Sequence, residues 1–334
     1  MRTVGNLFVK LCDPDHLERA FEATARGKRR HCDVAWFYFR REAELARLRA
    51  DLCSERWRPE GVEVLLVRDP KPRLIARTPI ADRVVHRAMV LLIEPIFLRS
   101  LLDDTFACRP GFGTHRAVLR ILELMRRHRF ALHLDVKTYF PSVDLGILRR
   151  LLAERIRDGR FLRVVDQLLE VGAELYRRPE VRALAGLGES WPPPGCGLPI
   201  GASTSQVFAA HVYLDGLDHF LKRELRVPGL CRYVDDVFLF ADRRARLRAW
   251  RSEIAEWLAH ERGLRLKHPK ARILSCHGHL DALGYRITRG GVEARPRALA
   301  RLRRRVAAEM RVGQTSKRPD FRRSVASTAG VVLF

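Results

Sequence analysis

The chain has 334 residues, of which 63 are Lys or Arg and 39 are Asp or Glu, so its formal net charge is +24. This length suffices for two or three domain-sized units, and an apolar share of 47% excludes a largely disordered chain. No uninterrupted apolar run reaches the ~18 residues that cross a bilayer, and the seven cysteines form no Cys-x-x-Cys pair, which predicts reduced thiols and a cytoplasmic protein without membrane association.

The excess of basic residues indicates an anionic partner, because so much like charge would otherwise repel itself in a compact fold. Binding to the phosphate backbone of a nucleic acid is the usual explanation, since released counterions supply much of the affinity. Charge alone leaves two alternatives open, an Arg-biased genome and attraction to anionic membranes.

The first half of the chain predicts helices on either side of a basic strand region. Residues 40–57 have the pattern of a basic amphipathic helix. A strand-like run at 62–67 leads into the turn-rich basic segment 68–73. Residues 80–98 follow a helical pattern until Pro95, which is expected to end the helix.

The second half predicts an alternation of strands and helices. In chain order these are a strand at 132–136 that carries Asp135 at its end, a helix capped by Ser142, a helix from about Thr204, strands at 231–234 and 237–241, a helix at about 247–258, a short strand near 264–266, and an Arg-rich helix from Pro296. This order is typical of a split βαβ sheet backed by helices.

Asp235 and Asp236 separate two apolar strand-like runs, at the expected position of a hairpin turn. Two-residue turns favour Asn-Gly or Asp-Gly because they need positive φ angles. Adjacent aspartates in a cleft of reduced dielectric are unfavourable unless cations neutralise them or one carboxylate is protonated. Their oxygens suit Mg²⁺, whereas the alternative interpretation is a solvated surface turn.

Asp135 favours the metal site over the surface turn. If its strand neighbours the hairpin in the sheet, three carboxylates converge on one point. Such a cluster can hold two Mg²⁺ ions about 4 Å apart, one to lower the pKa of an attacking hydroxyl and one to stabilise a leaving pyrophosphate. A single Asp at a strand end is usually structural, so the hypothesis depends on the combination.

Several segments resemble the ordered motifs of reverse transcriptases. The matching segments are 71–75 with Asp82-Arg83 (basic fingers segment), 107–115 (the segment before motif A), 133–144 (motif A), 197–206 (motif B), Tyr233-Val-Asp-Asp236 (motif C) and Leu283-Gly-Tyr285 (primer grip). They keep the family's order over about residues 65–290, which makes the set far more specific than any single motif.

The resemblance implies an α+β right-hand polymerase fold with fingers, a palm built on a split βαβ antiparallel sheet backed by helices, and a short helical thumb. Fingers and N-terminal helices would occupy residues 1–130, the palm 131–292 with inserted fingers helices at about 146–197, and the thumb 293–334. The implied enzyme is an RNA-directed DNA polymerase, a nucleotidyltransferase that uses two Mg²⁺ ions, with Mn²⁺ as a substitute. Its implied partners are template RNA, a primer or cDNA strand, and dNTPs.

The resemblance also implies roles for single residues. Asp135, Asp235 and Asp236 would be catalytic metal ligands, with the Val136 carbonyl as a further ligand, and Lys270 would protonate the pyrophosphate. The residues expected to bind the nucleotide are Lys71, Arg73, Phe140, Ile200, Gly201 and Gln206. The residues expected to bind template and primer are Arg109, Tyr233, Gly284, Arg301, Arg304 and Arg305.

Three of these roles have plain structural alternatives. Phe140 falls where the family places an aromatic gate against a ribose 2′-hydroxyl, but core packing is the other interpretation. Lys270 has the alternative of a surface lysine that binds the nucleic-acid backbone. The Arg-rich helix after Pro296 has the alternative of a generic solvated helix.

Motif B most resembles that of reverse transcriptases from diversity-generating retroelements. Ile200 stands where many relatives have Gln, and Ser205-Gln206 stands where many have Ser-Pro. The subfamily typically reads Gly-Asn-Leu-Thr-Ser-Gln, from which residues 201–206 differ at two positions. The resemblance implies error-prone copying opposite template adenines, in mutagenic retrohoming, and a small, basic, multimeric accessory protein as partner.

Ile200 suggests a physical origin for such errors. A Gln beside the nascent base pair can form hydrogen bonds that penalise misalignment, whereas Ile offers only contact area. A loss of ~1–3 kcal/mol of discrimination raises the error rate about tenfold to a hundredfold. The alternative functions are a bacterial antiviral-defence reverse transcriptase and a non-catalytic RNA-binding protein on a polymerase fold, although the second has no need for three acidic residues.

Overall fold

The computed structural model describes residues 3–67 and 73–312. The chain divides into two compact units, each formed from discontinuous segments. The first unit is Met1–Leu102, Val136–Leu217 and Ala255–Lys267, and the second is Asp103–Asp135, Asp218–Ile254 and His268–Phe334.

The described residues form helices and strands in a mixed order. The helices are α1 (Leu7–Leu11), α2 (Pro14–Ala25), α3 (Cys32–Phe39), α4 (Arg41–Cys53), α5 (Ile80–Leu98), α6 (Thr114–Arg127), α7 (Tyr139–Ser142), α8 (Leu145–Ala153), α9 (Gly159–Arg177), α10 (Pro179–Leu184), α11 (Ser203–Val207), α12 (Asp215–His219), α13 (Arg244–Arg262) and α14 (Pro296–Val312), with π-helical segments at Phe208–Tyr213 and Phe220–Glu224. The strands are β1 (Glu63–Val67), β2 (Arg73–Arg77), β3 (Phe130–Asp135), β4 (Gly229–Tyr233), β5 (Asp236–Ala241), β6 (Ile273–Ser275), β7 (Leu280–Ala282), β8 (Tyr285–Thr288) and β9 (Gly291–Ala294).

The first unit is mainly helical and centres on α5. This helix has buried apolar residues on most of its sides, among them Val84, Ala88 and Ile93. Helices α2 and α11 pack against it. Strands β1 and β2 form an antiparallel pair, and Leu74 of β2 packs against Tyr176 of α9.

The second unit contains a four-stranded sheet in the order β4-β5-β3-β6 and a three-stranded sheet, β7-β8-β9. All neighbouring strands are antiparallel, so β3 and β4 run parallel with β5 between them. This is the split βαβ arrangement that the sequence predicts.

Helix α6 covers one face of the four-stranded sheet. Its apolar side, which includes Val118, Ile121 and Met125, packs on alternate residues of β3, β4 and β5 such as Cys231 and Phe238. Because side chains alternate along a strand, the same sheet face carries Asp135 and Asp236 farther along β3 and β5. Packing against α6 therefore fixes the face on which the catalytic candidates lie.

Three details differ from the sequence prediction. Pro95 lies inside α5 rather than ending it, because it sits in the last turn, where its missing N–H removes a single hydrogen bond. Asp144, not Ser142, caps α8, by accepting a hydrogen bond from the amide of Ile147. Residues 264–266 form only an isolated bridge between Leu266 and Val136, and the fourth strand of the sheet is β6.

Within the described ranges, no helix is long and apolar enough to cross a membrane. The predicted helix at Pro296 is confirmed as α14. The predicted fingers, palm and thumb boundaries stay predictions, and most of the segment assigned to the thumb lies outside the described residues.

Asp82 in α5 is a buried carboxylate of the first unit. Its side chain is 1% exposed, and Oδ2 accepts a hydrogen bond from the amide of Glu60 at 2.9 Å. Among the described residues Oδ1 has no hydrogen-bond partner. Burial raises the pKa of Asp82 to about 7, because the charged form loses its hydration.

Because the folded-state pKa of Asp82 exceeds the unfolded value, its stability contribution is fully present below about pH 4 and is lost as pH rises through about 7. Asp82→Asn removes the ionisable carboxyl group and keeps an oxygen that can accept the hydrogen bond from the backbone amide of Glu60. We expect the variant to gain on the order of 2 kcal/mol more at pH 8 than at pH 5 relative to the wild type, measured as the difference in Tm. Asp103→Asn, at a largely exposed carboxylate, is the control, and an equal effect of Asp82→Asn at both pH values contradicts the prediction.

Candidate active site

The strand that ends in Asp135 lies directly beside the predicted hairpin. Asp135 is the last residue of β3 and Asp236 is the first of β5, and the antiparallel register makes them partners. Tyr233, the last residue of β4, is the partner of Asp236 on its other side. Partners in register project from the same face of a sheet, so these three side chains are neighbours at one corner of the sheet.

The hairpin turn lies one residue earlier than the predicted Asp235-Asp236. Val234 and Asp235 form the two-residue turn, because Tyr233 and Asp236 are already paired as strand residues. Val234 has a φ of 56°, which is uncommon for a β-branched residue and indicates local strain. Asp235 therefore projects from the turn, whereas Asp236 belongs to the face of the sheet.

Arg232 supports this turn from the opposite face of the sheet. Its guanidinium is fully buried and forms a two-point ion pair with Asp218, with both N–O distances at 2.7 Å. The remaining nitrogen, Nη1, donates to the carbonyl oxygen of Val234 at 3.0 Å. Asp218 also accepts a hydrogen bond from the Thr105 hydroxyl at 2.6 Å. The strained residue of the turn is thus attached to a buried ionic network.

His133 contacts the second aspartate of the motif. It lies two residues before Asp135 on the same face of β3, and its Nε2 is 2.6 Å from Oδ1 of Asp236. The imidazole stacks on the buried ring of Phe238, with 4.4 Å between centroids and 13° between planes. Stacking fixes the plane of the imidazole, so the hydrogen bond fixes one oxygen of Asp236.

The three aspartates provide the oxygen donors that Mg²⁺ prefers. All three are half-buried at the end of the sheet, where a bound cation would offset their mutual repulsion. In the part of the chain that the structure describes, no group of three His, Cys, Asp or Glu side chains is close enough to hold a metal ion as it stands. The carboxylate oxygens fit a divalent cation. One of them, Oδ1 of Asp236, accepts a hydrogen bond from His133 instead.

An open cleft of about 740 Å³ lies beside His133 in the second unit. It is lined on its basic side by His268, Lys270, Arg272 and His279. Lys270 is exposed and faces the same cleft as the histidine that holds Asp236. Its role as a proton donor to pyrophosphate stays a prediction.

Motif B and Phe140 are joined by backbone hydrogen bonds in the first unit. The amide of Leu198 donates to the carbonyl of Phe140 at 2.8 Å, and the amide of Ala76 in β2 donates to the carbonyl of Ile200 at 2.7 Å. Gly201 has a φ of 122°, and a Cβ there would lie 2.5 Å from the Ala76 carbonyl oxygen. Glycine is required for this close approach, which brings Phe140, Ile200 and β2 together.

Arg73 lies near the contact between β2 and motif B, Gln206 lies on α11, and Lys71 lies outside the described residues. Arg73 is exposed at the start of β2, on the same strand face as Ile75, whose side chain lies against Gly201. Gln206 is exposed on α11. Val136, whose carbonyl is the predicted further metal ligand, is buried and bridges to Leu266.

The residues expected to bind template and primer differ in their contacts and in their exposure. Arg109 lies over the ring of Phe112, with 3.9 Å to the centroid. The Tyr233 hydroxyl is 2.9 Å from that of Thr114. Gly284, with a φ of 94°, forms the β7–β8 turn with Leu283, at 50°, and such a turn favours Gly at its second position. On α14, Arg301 is half-buried and Arg304 is exposed, and the side chain of Arg305 lies outside the described residues.

Sequence reasoning missed His133 and the pair formed by Arg232 and Asp218. The spacing of two residues between His133 and Asp135 on a predicted strand was an available signal, since it places both on one face. Arg232 was also adjacent to the motif. Its partner Asp218 lies 14 residues away and could not be identified from spacing.

A family model described as "Reverse transcriptase (RNA-dependent DNA polymerase)" matches residues 68–287, more than half of the chain. The match includes both sheets of the second unit up to β8 and all three aspartates. It confirms the predicted α+β fold class, that of right-hand polymerases.

The chain is also similar to individual proteins and to solved structures. Protein YkfC of Escherichia coli is 23% identical over 86% of this chain and 84% of its own length. Mitochondrial nuclear intron maturase 2 of Arabidopsis thaliana is 28% identical over 28% of this chain and 12% of its length. Telomerase from Candida albicans superposes with a TM-score of 0.49 at 11% identity, over 72% of this chain and 47% of that chain. The chain thus spans less than half the length of the telomerase and a small part of the maturase.

We expect Arg232→Lys to lower polymerase activity at least about tenfold, because Lys cannot bind both Asp218 oxygens and the Val234 carbonyl at once. Loss of a buried pair also destabilises a fold, by about 3–5 kcal/mol where one charge is left unpaired, so Tm should fall as well. Activity is measured by primer extension at a temperature where circular dichroism shows the variant folded.

Arg120→Lys is the matched control, since Arg120 pairs with Asp104 and Glu123 in the same unit and, within the described residues, forms no hydrogen bond to the turn. Full activity of folded Arg232→Lys contradicts a role in holding the turn.

Proposed function

This chain belongs to the reverse transcriptase family of RNA-dependent DNA polymerases, and from that premise we propose that it copies RNA into DNA by a two-metal mechanism centred on Asp135, Asp235 and Asp236. The observation that carries the proposal is the register of the sheet. It pairs Asp135 with Asp236 and puts Asp235 in the adjoining turn. Two-metal phosphoryl transfer needs such a concentration of carboxylates on a rigid element.

Asp135, Asp235 and Asp236 are the residues that would hold Mg²⁺, or Mn²⁺ in its place. When bound, these ions lower the pKa of the primer 3′-hydroxyl and neutralise charge on the leaving pyrophosphate. His133 keeps Asp236 on the face of the sheet through its 2.6 Å contact. Lys270, on the cleft beside His133, is the group proposed to give a proton to the pyrophosphate.

The first unit would select the nucleotide. Arg73 supplies positive charge for the triphosphate at the start of β2. Phe140 is half-buried and in edge contact with the ring of Tyr139, with 5.7 Å between centroids, so its position is restricted. A fixed aromatic ring at this point of motif A favours deoxynucleotides by excluding a 2′-hydroxyl, and thus favours DNA as product.

We propose further that copying is error-prone, within a diversity-generating retroelement. Motif B supports this proposal, with Ile200 at the usual Gln position and Ser205-Gln206 in place of Ser-Pro. Ile200 is half-buried and its carbonyl is held by β2. Its side chain thus offers apolar contact where a Gln would offer hydrogen bonds. A template-repeat RNA and a small basic accessory protein are the proposed partners.

Primer extension tests the enzyme. With an RNA template containing runs of adenine, dNTPs and Mg²⁺, we expect DNA synthesis that falls at least about a hundredfold in Asp135→Asn, Asp235→Asn and Asp236→Asn, since each removes a carboxylate charge that would hold the Mg²⁺ ions. Asp242→Asn is the matched control, because Asp242 follows the opposite end of β5 and is largely exposed. Synthesis that survives loss of Asp135 or Asp235 contradicts the proposed centre. An absence of product with the wild type, even with accessory protein and cognate RNA, supports the binding-only alternative.

Sequencing of the products tests the mutagenic role. We expect wild-type errors to cluster at template adenines and Ile200→Gln to lower the overall error rate about tenfold or more. Ile200→Leu, which keeps an apolar side chain of the same size, is the control and should retain the errors. Accurate wild-type copying would instead favour a defence role, and an unchanged error spectrum in Ile200→Gln would remove Ile200 as the cause.

A further inference from the structure

Helix α3 of the first unit has an unusual distribution of apolar residues. Its sequence, Cys-Asp-Val-Ala-Trp-Phe-Tyr-Phe, is apolar nearly all round, a pattern that normally indicates a helix buried on every side. Only Val34 and Phe37 are buried, with the ring of Phe37 at 5.0 Å from that of Phe21 in α2. Apart from Asp33, which pairs with Arg77 and Arg83, most of the remaining helix surface is apolar and in contact with solvent.

Three aromatic side chains lie on this solvent-facing part of α3. Trp36 is 52% exposed, Tyr38 37% and Phe39 88%. Trp36 and Phe39 are three residues apart and so lie on the same face of the helix. Single exposed apolar residues are common, but three aromatics within four residues form a patch of the kind that marks an interaction site.

Arginines lie over these rings. The Arg40 guanidinium is 4.9 Å from the centre of the Trp36 ring. Those of Arg29 and Arg41 are each 5.3 Å from the centre of the Tyr38 ring. Such cation–π contacts hold aromatic rings and positive charge together on one surface.

The segment between α2 and α3 adds further positive charge. Residues 26–31 read Arg-Gly-Lys-Arg-Arg-His and are exposed throughout. Glu22 neutralises Arg29 at 2.6 Å, whereas Arg26, Lys28 and Arg30 pair with no acidic side chain in the described part of the chain. The patch therefore combines exposed rings that arginines lie over with further basic residues that no acidic side chain among the described residues neutralises.

We infer that α3 and the segment before it bind single-stranded RNA, with unpaired bases stacked on Trp36 and Phe39 and phosphates held by the arginines of residues 26–41. Exposed aromatics interleaved with basic residues are the chemistry that recognises unpaired nucleotides. Duplex RNA keeps its base faces inside the helix and cannot stack in this way. Binding here does not depend on the proposed mutagenic activity or on the aspartate centre.

An anionic membrane is a less suitable partner. Interfacial membrane helices separate an apolar face from a basic face, whereas here the guanidinium groups lie over the rings themselves. Self-association through the aromatic face is opposed by the concentration of positive charge, which a second copy would double.

Equilibrium binding tests the inference. The probe is a 5′-fluorescein-labelled 12-nucleotide uridine RNA, titrated with the full chain by fluorescence anisotropy without metal or dNTPs, so that loss of polymerase activity cannot affect the result. We expect Trp36→Ala/Phe39→Ala to weaken Kd about tenfold or more, since each stacked base contributes about 1–3 kcal/mol. Trp36→Phe/Phe39→Tyr, which keeps both rings, should remain within about threefold of the wild type. Leu184→Ala, at an apolar residue 51% exposed in the same unit, is the matched control and should bind as the wild type.

A second measurement uses the wild type alone and does not depend on the folding of a variant. With 4-thiouridine in the same RNA, we expect photocrosslinks within residues 26–41. Four results overturn the inference: no crosslink in this segment; wild-type affinity in the alanine variant; an equal loss of affinity for a 12-base-pair RNA duplex; and unchanged RNA binding together with lost binding to anionic vesicles or a dimer-to-monomer shift in sedimentation velocity.

Discussion

The buried ion pair between Arg232 and Asp218 is the constraint on which the catalytic corner depends. Both side chains are almost completely removed from water, at 0% and 1% exposure, and burial of two charges is stabilising only where hydrogen bonds satisfy nearly every donor and acceptor. The two contacts to Asp218, the bond to Val234 and the bond from Thr105 meet much of that requirement. The network thus uses the turn carbonyl as one of its own acceptors, which couples the shape of the hairpin to the integrity of the ion pair.

The same ion pair explains how the strained backbone of Val234 is maintained, because Arg232 bonds its carbonyl oxygen. A β-branched residue with a φ of 56° persists only where its surroundings fix the backbone on several sides. Strand pairing between Tyr233 and Asp236 closes the turn, and Arg232 holds the carbonyl between them. With this geometry Asp235 projects from the turn while Asp236 remains in register with Asp135. Two aspartates that are adjacent in the sequence thereby have different positions, one in the turn and one in the sheet.

The sequence predicted strands β3, β4 and β5 and the position of Asp135 at the end of β3, because short-range alternation and motif order are properties of the chain itself. It misplaced the turn by one residue, since the apolar pattern does not show where β4 ends, whereas the pairing of Tyr233 with Asp236 does. His133 and Asp236 lie 103 residues apart, and the Arg232–Asp218 pair links a strand to a helix. Such contacts are consequences of the tertiary fold. The exposed aromatic face of α3 was not predicted either, because a helix that is apolar nearly all round normally indicates burial.

The ion pair also has a consequence for charge at the active site. In a chain with 63 basic and 39 acidic residues, a cluster of carboxylates is at risk of permanent neutralisation by arginine, which never loses its charge. Arg232 is only a few residues from Asp235 and Asp236, yet strand alternation puts it on the opposite face, where Asp218 pairs with it. Asp236 instead contacts an imidazole through one hydrogen bond, a weaker commitment than a two-point arginine pair. Asp218 therefore stabilises the turn and at the same time pairs with the arginine that lies three residues before Asp235 in the chain.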